Sequence, residues 1–177
     1  MFLEGQKVGL RPLQIEDAAL FQGWMTDQEI TQYLLVYLPL TRLAEEQWIK
    51  ETGQSKNDVV LTIVTKKPIE GKPIGNVALH RINHKDGNAT FGIFIGEKDY
   101  HEFGYGTEAA RLMIGYGFNQ LNLHRIDSSA LAFNKRSIAM HLKLGFKKEG
   151  RHRQKIFKNG TYVDDIIFGL LRDEWKG

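Results

Sequence analysis

Hydrophobic and polar positions along this chain follow two different periods, and the period changes from one short segment to the next. Runs rich in β-branched and aromatic residues predict strands at residues 7–13, 59–65, 74–82, 88–95, 125–131, 146–157 and 161–170. Apolar residues three or four positions apart predict helices at residues 16–24, 41–52, 105–117 and 135–144, with Thr41 capping the second. A short helix is expected after a capping box that starts at Thr26. Asn159-Gly160, between the last two strand-like runs, is typical of a tight hairpin turn.

This order of elements predicts an α+β fold with a central, mostly antiparallel, twisted sheet of about seven strands flanked by helices. The chain has 177 residues, 42% of them hydrophobic, which is enough for one full core. No repeat or linker divides it. We therefore expect a single domain over residues 1–177.

Composition excludes several classes of protein. The chain has no cysteine, which excludes a disulfide scaffold, a thiolate metal site and a cysteine nucleophile. His80 and His84 would lie about 13 Å apart on one predicted strand, too far to share a zinc ion, so we expect no metal. A net charge of +3, from 24 basic and 21 acidic residues, is too small to indicate nucleic acid. With no long apolar run after Met1, we expect a cytoplasmic protein that does not bind membranes.

The most informative segment is residues 101–106, H-E-F-G-Y-G, between a predicted strand and the start of a long predicted helix. In this arrangement backbone N–H groups and the positive end of the helix dipole point at a bound anion. Gly104 and Gly106 keep the backbone clear of side chains where a phosphate would approach. The pattern predicts a pyrophosphate cradle.

Two kinds of protein use such a cradle. Residues 104–109 satisfy the G-x-G-x-x-A pattern of dinucleotide-binding folds, but those folds need an acid about 20 positions further on, at the end of the next strand. The next predicted strand has its only acid, Asp127, near its start and is followed by Asn134. A nicotinamide or flavin protein stays open as an alternative, although it fits the chain less well.

Four ordered blocks, spread over essentially the whole chain, resemble the GCN5-related N-acetyltransferases (GNAT). The cradle is similar to that family's Q/R-x-x-G-x-G/A block, with His101 at the first position. Residues 134–137 (N-K-R-S) and 143–150 (K-L-G-F-K-K-E-G) resemble its second block. Residues 160–164 (G-T-Y-V-D), and residues 10–13 (L-R-P-L) with 16–18 (E-D-A), resemble the RimJ/RimL branch, whose members acetylate protein N-termini and small amines.

The resemblance implies acetyl-CoA as co-substrate and an amine acceptor. It places these residues at the cofactor: Phe94, Ile95, His101, Phe103, Gly104, Tyr105, Gly106, Thr107 and Asn134. Backbone N–H groups around Phe94 and Ile95, left unpaired by a strand bulge, would stabilise the oxyanion. Glu102 departs from the family pattern, in which a glycine or a cation is common near this position. A carboxylate close to phosphates opposes their binding.

The proton donor for the departing thiolate is expected on the helix at residues 135–144. Ser137 and His141 share one face of that helix at positions i and i+4. His141 stands where many family members have an acidic tyrosine. An imidazole with an unperturbed pKa of about 6.5 can protonate a thiolate whose pKa is about 8.5. Ser137 is the alternative donor, His141 can also be a solvated helix residue, and Asn134 can simply cap the helix.

The base that deprotonates the amine is the least specified group. Relatives often have a glutamate on the strand before the cradle, where this chain has Thr90. Four candidates remain: Glu29, His80, His84 and Glu97. In this family the N-terminal helical pair walls the acceptor site, so we expect specificity within residues 28–40. The acceptor-binding candidates there are Glu29, Tyr33 and Tyr37.

We therefore predict an acetyl-CoA-dependent N-acetyltransferase of RimJ/RimL type in which the amine attacks the thioester directly within a ternary complex. A protein N-terminal α-amine, with a pKa near 8, needs less help from a base than a lysine-like amine near 10.4. Three alternatives stay open: a polyamine or other small-amine acetyltransferase, a non-catalytic acyl-CoA-binding domain, and a dinucleotide oxidoreductase. A homodimer is also left open.

Overall fold

The computed structural model describes residues 1–66 and 69–177, and within them it contains eight strands and five α-helices. The strands are β1 (Leu3–Glu4), β2 (Val8–Pro12), β3 (Val59–Thr65), β4 (Pro73–Asn83), β5 (Asn88–Ile95), β6 (Arg125–Leu131), β7 (Lys147–Lys158) and β8 (Thr161–Leu171). The helices are α1 (Ala18–Thr26), α2 (Gln28–Thr31), α3 (Arg42–Gln54), α4 (Tyr105–Asn119) and α5 (Lys135–Lys143). The α+β class predicted from the sequence is confirmed.

The predicted boundaries lie within two residues of the observed ones, and the differences have local causes. β1 was not expected, because a two-residue strand is too short to show a period. The cap of α2 is Asp27 rather than Thr26, since the Asp27 carboxylate accepts the N–H of Glu29 at 2.9 Å. The Thr26 hydroxyl instead donates back into α1. Thr41 caps α3 as expected.

The described strands form a sheet in the order β1-β2-β3-β4-β5-β6-β8-β7, which is antiparallel except between β5 and β6. α4 is the crossover that joins this parallel pair. β5 and β6 pair at three positions, and the pairing stops at Thr90 and Asp127. Beyond that point β5 stays with β4 as far as Ile95, and β6 stays with β8. The two central strands therefore part and open the sheet.

Each face of the sheet carries its own hydrophobic core. The larger core packs α4 on the sheet and includes Phe91, Met113, Phe118, Ile126 and Phe168. The smaller core, on the other face, consists of Ala18, Phe21, Trp24, Ile30 and Ile49 from α1, α2 and α3. Side chains alternate along β5, so Phe91 enters the larger core while the ring of Phe94 contacts Trp24 with centroids 5.8 Å apart. The opening between β5 and β6 thus has a packed layer on either side.

The helices of the described residues are short, and α4, with 15 residues, is the longest of them. In this part of the chain every helix lacks the length and apolar character that crossing a bilayer requires.

Candidate active site

A cleft of about 870 Å³ lies where β5 and β6 part. Two groups of elements line it. We call residues 101–107, β6 and α5 the cradle side, and residues 28–35 (α2 and the turn after it), β4 and the Phe94 face of β5 the wall side. The lining includes Glu29, Tyr33, Ala78, His80, Gly92, Ile93, His101, Gly104, Gly106, Thr107, Ser128, Asn134, Ser137 and His141. Most of the residues predicted for the site are therefore brought to one cavity.

The cradle is the N-terminus of α4. Gly104 occupies the N-cap with φ +86°, a left-handed conformation that glycine adopts without strain. The first bond of the helix runs from the Glu108 N–H to the Gly104 carbonyl at 3.0 Å. The N–H groups of Gly106 and Thr107, which line the cleft, accordingly have no partner within the helix. The predicted order of strand, glycine turn and helix start is present, and it has the geometry that suits an anion; binding of an anion there stays a prediction.

Lys7, which is not among the predicted site residues, contacts the backbone of the cradle. The Nζ atom of Lys7 donates to the carbonyl of Phe103 at 2.9 Å. The carboxylate of Glu108 accepts the backbone N–H groups of Gln6 and Lys7. These contacts tie the start of α4 to the turn between β1 and β2. Phe103 itself is 65% exposed and does not line the cleft, so the position of its side chain does not support its predicted contact with the cofactor.

Glu102 lies in the cradle with φ +68°, a conformation that is costly for a residue with a side chain. Its carboxylate lies 3.7 Å from the guanidinium of Arg136, at the start of α5. The same guanidinium lies 5.2 Å from the ring centre of Tyr33 on the wall side. Arg136 therefore bridges the cleft and partly balances the charge of Glu102.

His101 links the cradle to the end of β5. Its Nε2 atom donates to the Ile95 carbonyl at 2.9 Å, because a carbonyl can only accept. The Nδ1 atom then carries the lone pair, which faces Arg136 at 3.4 Å. His101 thus positions the strand next to the cradle.

The predicted bulge at Phe94 and Ile95 is wrong. The pairing of β4 with β5 is regular from Gly75–Ile95 to His80–Thr90, and the register shifts only further on, between His80 and Asn83. The cleft opens because β6 leaves β5, with no extra residue in β5.

Regular pairing also decides which backbone N–H groups of β5 face the opening. The Gly96 N–H donates to the Ile74 carbonyl of β4 at 2.8 Å. Alternation in an antiparallel pair then directs the Phe94 N–H at β4, and the N–H groups of Ile93 and Ile95 at the cleft. The oxyanion donors are therefore expected at Ile93 and Ile95 rather than at Phe94.

His141 is a buried histidine with both ring nitrogens engaged. Nδ1 donates to the Ser137 carbonyl at 2.7 Å, and Nε2 lies 2.8 Å from the hydroxyl of Ser128. The ring stacks on Phe168 at 4.7 Å and meets Phe91 edge-on. Burial lowers the pKa of His141, against an opposing effect of the bond to Ser137. Although His141 is part of the cleft lining, both of its ring nitrogens are already hydrogen-bonded within the protein, which argues against it as the direct proton donor.

Ser137 and Asn134 lie on the first turn of α5. The Asn134 side chain accepts the Ser137 N–H at 3.1 Å, so Asn134 is the N-cap of α5, one of the two roles expected for it. The Ser137 hydroxyl is only 3.4 Å from Nδ1 of His141, but that nitrogen already bonds a carbonyl. Ser137 is half-buried and lines the cleft. Of the two predicted donors, Ser137 is the accessible one.

The wall side holds two of the three predicted acceptor residues. Glu29 and Tyr33 line the cleft, and Lys98 forms an ion pair with Glu29. Tyr37 is 86% exposed and outside the lining, so its predicted contact with the acceptor is not supported. Among the candidate bases, His84 and Glu97 also lie outside the lining.

Among the candidate bases, His80 lines the cleft and has a carboxylate partner that orients its ring. Its Nδ1 atom lies 3.0 Å from Oδ1 of Asp58, which also accepts the N–H of Arg81 at 3.1 Å. Oδ2 of Asp58 accepts the Ser55 hydroxyl at 2.8 Å. Although partial burial acts to raise it, these hydrogen bonds hold the pKa of Asp58 below its ordinary value. Because an ionised carboxylate only accepts, the His80 proton is placed on Nδ1 and the Nε2 lone pair is left available.

The ring of His80 leans over Gly92, on the wall side of β5. A Cβ atom at Gly92 would lie 3.9 Å from Nε2, so the missing side chain leaves the space beside the nitrogen open. His80 is a candidate base from the sequence, whereas its partner Asp58, which precedes β3 by one residue, is not predicted from it. Twenty-two positions separate the two residues, and no local signal pairs them.

Glu45 carries a second carboxyl group that is not among the predicted site residues. Glu45 is 6% exposed and lies on the same face of α3 as buried Ile49, four positions on. This spacing is the signal that could have identified it. Burial raises the pKa of Glu45.

A helix N-terminus beside a split sheet, with backbone N–H groups facing the opening, fits acyl transfer from a cofactor that carries a pyrophosphate. Residues 7–147 match the family described as acetyltransferase (GNAT) domain. The chain therefore belongs to the GNAT family, and it is an N-acetyltransferase.

The relatives whose names include an acceptor differ in that acceptor, which is spermidine for one and the ribosome for another. The chain is 38% identical over 170 residues to a spermidine N(1)-acetyltransferase of Escherichia coli strain K12, covering 95% of this chain and 88% of the relative. It is 32% identical over 108 residues to YdaF of Bacillus subtilis, a putative ribosomal N-acetyltransferase, covering 61% and 58%. The fold matches that of the Vibrio cholerae spermidine N-acetyltransferase in complex with CoA and spermine. That match has a TM-score of 0.87 and 22% identity, and it covers 94% of this chain and 96% of the other.

Proposed function

We propose that this protein transfers the acetyl group of acetyl-CoA to the α-amine of a peptide or protein N-terminus. The pyrophosphate would bind the N–H groups at the start of α4, and the thioester would lie between β5 and β6. The amine would enter from the wall side and attack the thioester directly. Two facts support this placement: the cradle side and the wall side line one cleft, and β5 pairs with β4 of the wall side and with β6 of the cradle side.

The observation that favours an α-amine is that the carboxylates lining the cleft already have cationic partners. Among the described lining residues each carboxylate is ion-paired: Glu29 with Lys98, Glu102 with Arg136, and Asp165 with Lys155. A polyamine carries several positive charges, and its recognition calls for carboxylates without such partners. An α-amine carries one charge at most, and with a pKa near 8 part of it is neutral at pH 7.

The residues in the cleft fit the steps of this reaction. The N–H groups of Ile93 and Ile95 would stabilise the oxyanion as the amine nitrogen bonds to the carbonyl carbon. Nε2 of His80 would take the amine proton, directly or through a water, with Asp58 holding the ring. When the carbon–sulfur bond breaks, the hydroxyl of Ser137 would give its proton to the thiolate, so that CoA leaves as the free thiol. Ser137 would then regain a proton from water, and His80 would release the amine proton to water.

Spermidine or another polyamine is the second candidate acceptor. It is favoured by the identity of 38% with a spermidine N(1)-acetyltransferase over nearly the whole chain. An apolar cavity beside the cleft that contains the buried carboxyl of Glu45 is also compatible with a second amine.

A thiol-release assay with three acceptors separates these functions. The acceptors are a short peptide with a free α-amine, the same peptide with an acetylated α-amine and an internal lysine, and spermidine. We expect thiol release with the first peptide at a kcat/KM at least about tenfold above the other two. Turnover of spermidine alone would instead establish the second candidate.

Thermal unfolding tests the remaining alternatives. We expect acetyl-CoA, but not NADH, to raise the melting temperature, because only a ligand that binds the folded state stabilises it. Stabilisation by acetyl-CoA without thiol release from any amine would identify a non-catalytic acyl-CoA-binding domain. Stabilisation by NADH alone would revive the dinucleotide alternative.

A further inference from the structure

A second cavity, of about 280 Å³, lies beside the cleft, between the sheet and helices α1 and α3. Its lining is Phe21, Met25, Leu40, Ala44, Glu45, Trp48, Asn76 and Phe94. Asn76 and Phe94 also line the main cleft, so the two spaces adjoin on the wall side. We call this space the side cavity. A group attached to an acceptor in the cleft could reach it past these two residues.

Glu45 is the charged residue of the side cavity. Its side chain has no hydrogen bond or ion pair with any residue in the ranges 1–66 and 69–177. The nearby Arg42 forms its ion pair with Glu46 instead, at 2.9 Å. In the same ranges every fully enclosed side-chain oxygen has a partner. The oxygens of Glu45 must therefore face accessible space, and the side cavity is the space that this residue lines.

The chemistry of the side cavity selects for a cation. A carboxylate withdrawn from water costs free energy unless it is paired, and an apolar occupant would leave it unpaired. The aromatic rings of Phe21, Trp48 and Phe94 can contact a cation through their faces, which adds to the attraction. The amide of Asn76 offers a further hydrogen-bond acceptor. An alkyl chain that ends in an ammonium group matches all of these features.

We propose that the side cavity is a subsite for a primary alkylammonium group carried by the acceptor, with Glu45 as its ion partner. The proposal rests on the proposed acetyltransferase function, since the group reaches the cavity from an amine placed in the cleft. The side chain of a lysine next to the N-terminal residue and the second amine of a diamine present the same group. The test has one arm for each source.

In the peptide arm, two peptides differ at the second residue, which is either lysine or its uncharged isostere norleucine. In the amine arm, a diamine is compared with a monoamine of equal chain length. The readout is thiol release, as kcat/KM for each acceptor. We expect wild type to prefer the charged member of at least one pair about tenfold, as for a hydrogen bond to a charged group.

Glu45→Gln keeps the size of the side chain and removes its charge. We expect this variant to lower kcat/KM for the charged acceptor about tenfold and to reduce the preference to below about threefold. Glu51→Gln is the matched control, because Glu51 is an exposed glutamate on the same helix, and it should keep the wild-type preference. Thermal unfolding of each variant verifies that it is folded.

The outcomes separate this inference from the function on which it rests. Equal rates of wild type with both members of each pair would overturn the subsite. A preference that survives Glu45→Gln would overturn the role of Glu45. If wild type acetylates no peptide N-terminus, the α-amine function fails, and the amine arm still decides whether the side cavity takes an alkylammonium.

Discussion

The cradle side and the wall side of the cleft are built in different ways. The anion donors of the cradle are backbone N–H groups from one continuous segment, residues 104–107, at the start of α4. The wall consists of side chains from α2, β4 and β5, together with Asp58 from the loop before β3. A phosphate site can therefore be encoded in a few neighbouring residues, because helix geometry alone aims the donors. An amine site needs groups that only the folded sheet brings together.

Two histidines show this contrast. His141, on the cradle side, is enclosed by aromatic rings and bonded at both nitrogens. The side chain of His80, on the wall side, is 41% exposed and is oriented by Asp58 at one nitrogen. Sequence position favoured His141 as the proton carrier, but the surroundings favour His80, as base.

Replacing His80, the proposed base, should have the largest effect. For His80→Ala we expect kcat/KM to fall about 100-fold or more, as for loss of a general base, with little change in the KM for acetyl-CoA. Asp58→Asn should also lower kcat, because an asparagine amide donates to Nδ1 and moves the proton onto Nε2. The measurement is steady-state thiol release with the preferred acceptor.

Added imidazole distinguishes a catalytic role of His80 from a structural one. We expect it to restore part of the lost activity of His80→Ala, since the truncated side chain leaves space beside Gly92. His84→Ala is the control, because His84 is outside the cleft lining, and it should behave as wild type. Activity of His80→Ala within threefold of wild type would exclude His80 as the base.

Disturbing the cradle should act on the cofactor and not on the acceptor. Gly104→Val places a β-branched residue at φ +86°, a conformation that costs it roughly 1–2 kcal/mol or more. We expect acetyl-CoA to bind about tenfold more weakly by calorimetry, since the strained loop shifts the N–H donors. Gly115→Ala, in the middle of α4 with open space around it, should leave the affinity unchanged. Equal affinities of Gly104→Val and wild type would place the cofactor elsewhere.

Glu102→Gly should improve the cradle. Glycine relieves the strain at φ +68° and removes a carboxylate near the phosphates, so we expect about 1 kcal/mol more stability and severalfold tighter acetyl-CoA binding. Gln154→Gly is the matched control, because Gln154 also has a positive φ, +51°, but is outside the cleft lining. It should gain stability without any change in affinity. Weaker binding of acetyl-CoA by Glu102→Gly would mean that Glu102 contributes to the site.

His141→Phe should have the smallest effect on catalysis and a visible effect on acid stability. Burial lowers the pKa of His141 in the folded state, so below pH of about 6.5 the unfolded chain binds a proton that the folded chain does not. Stability is therefore lost as the pH falls through that range. Because phenylalanine does not titrate, the variant should lose less stability than wild type between pH 7 and pH 5, measured by denaturant unfolding. A large fall in kcat at neutral pH would restore His141 as the thiolate acid.

Local sequence determined the elements of this protein and the cradle. Thr41 caps α3, Asn159-Gly160 turns the last hairpin, and Gly104 starts α4 in a left-handed conformation, since each depends on residues a few positions away. Tertiary structure set where β5 and β6 part, that Asp58 orients His80, and that His141 is buried while Tyr37 is exposed. The physical reason is distance along the chain. Helix and turn geometry acts over neighbouring residues, whereas burial and side-chain pairing depend on which distant elements pack together.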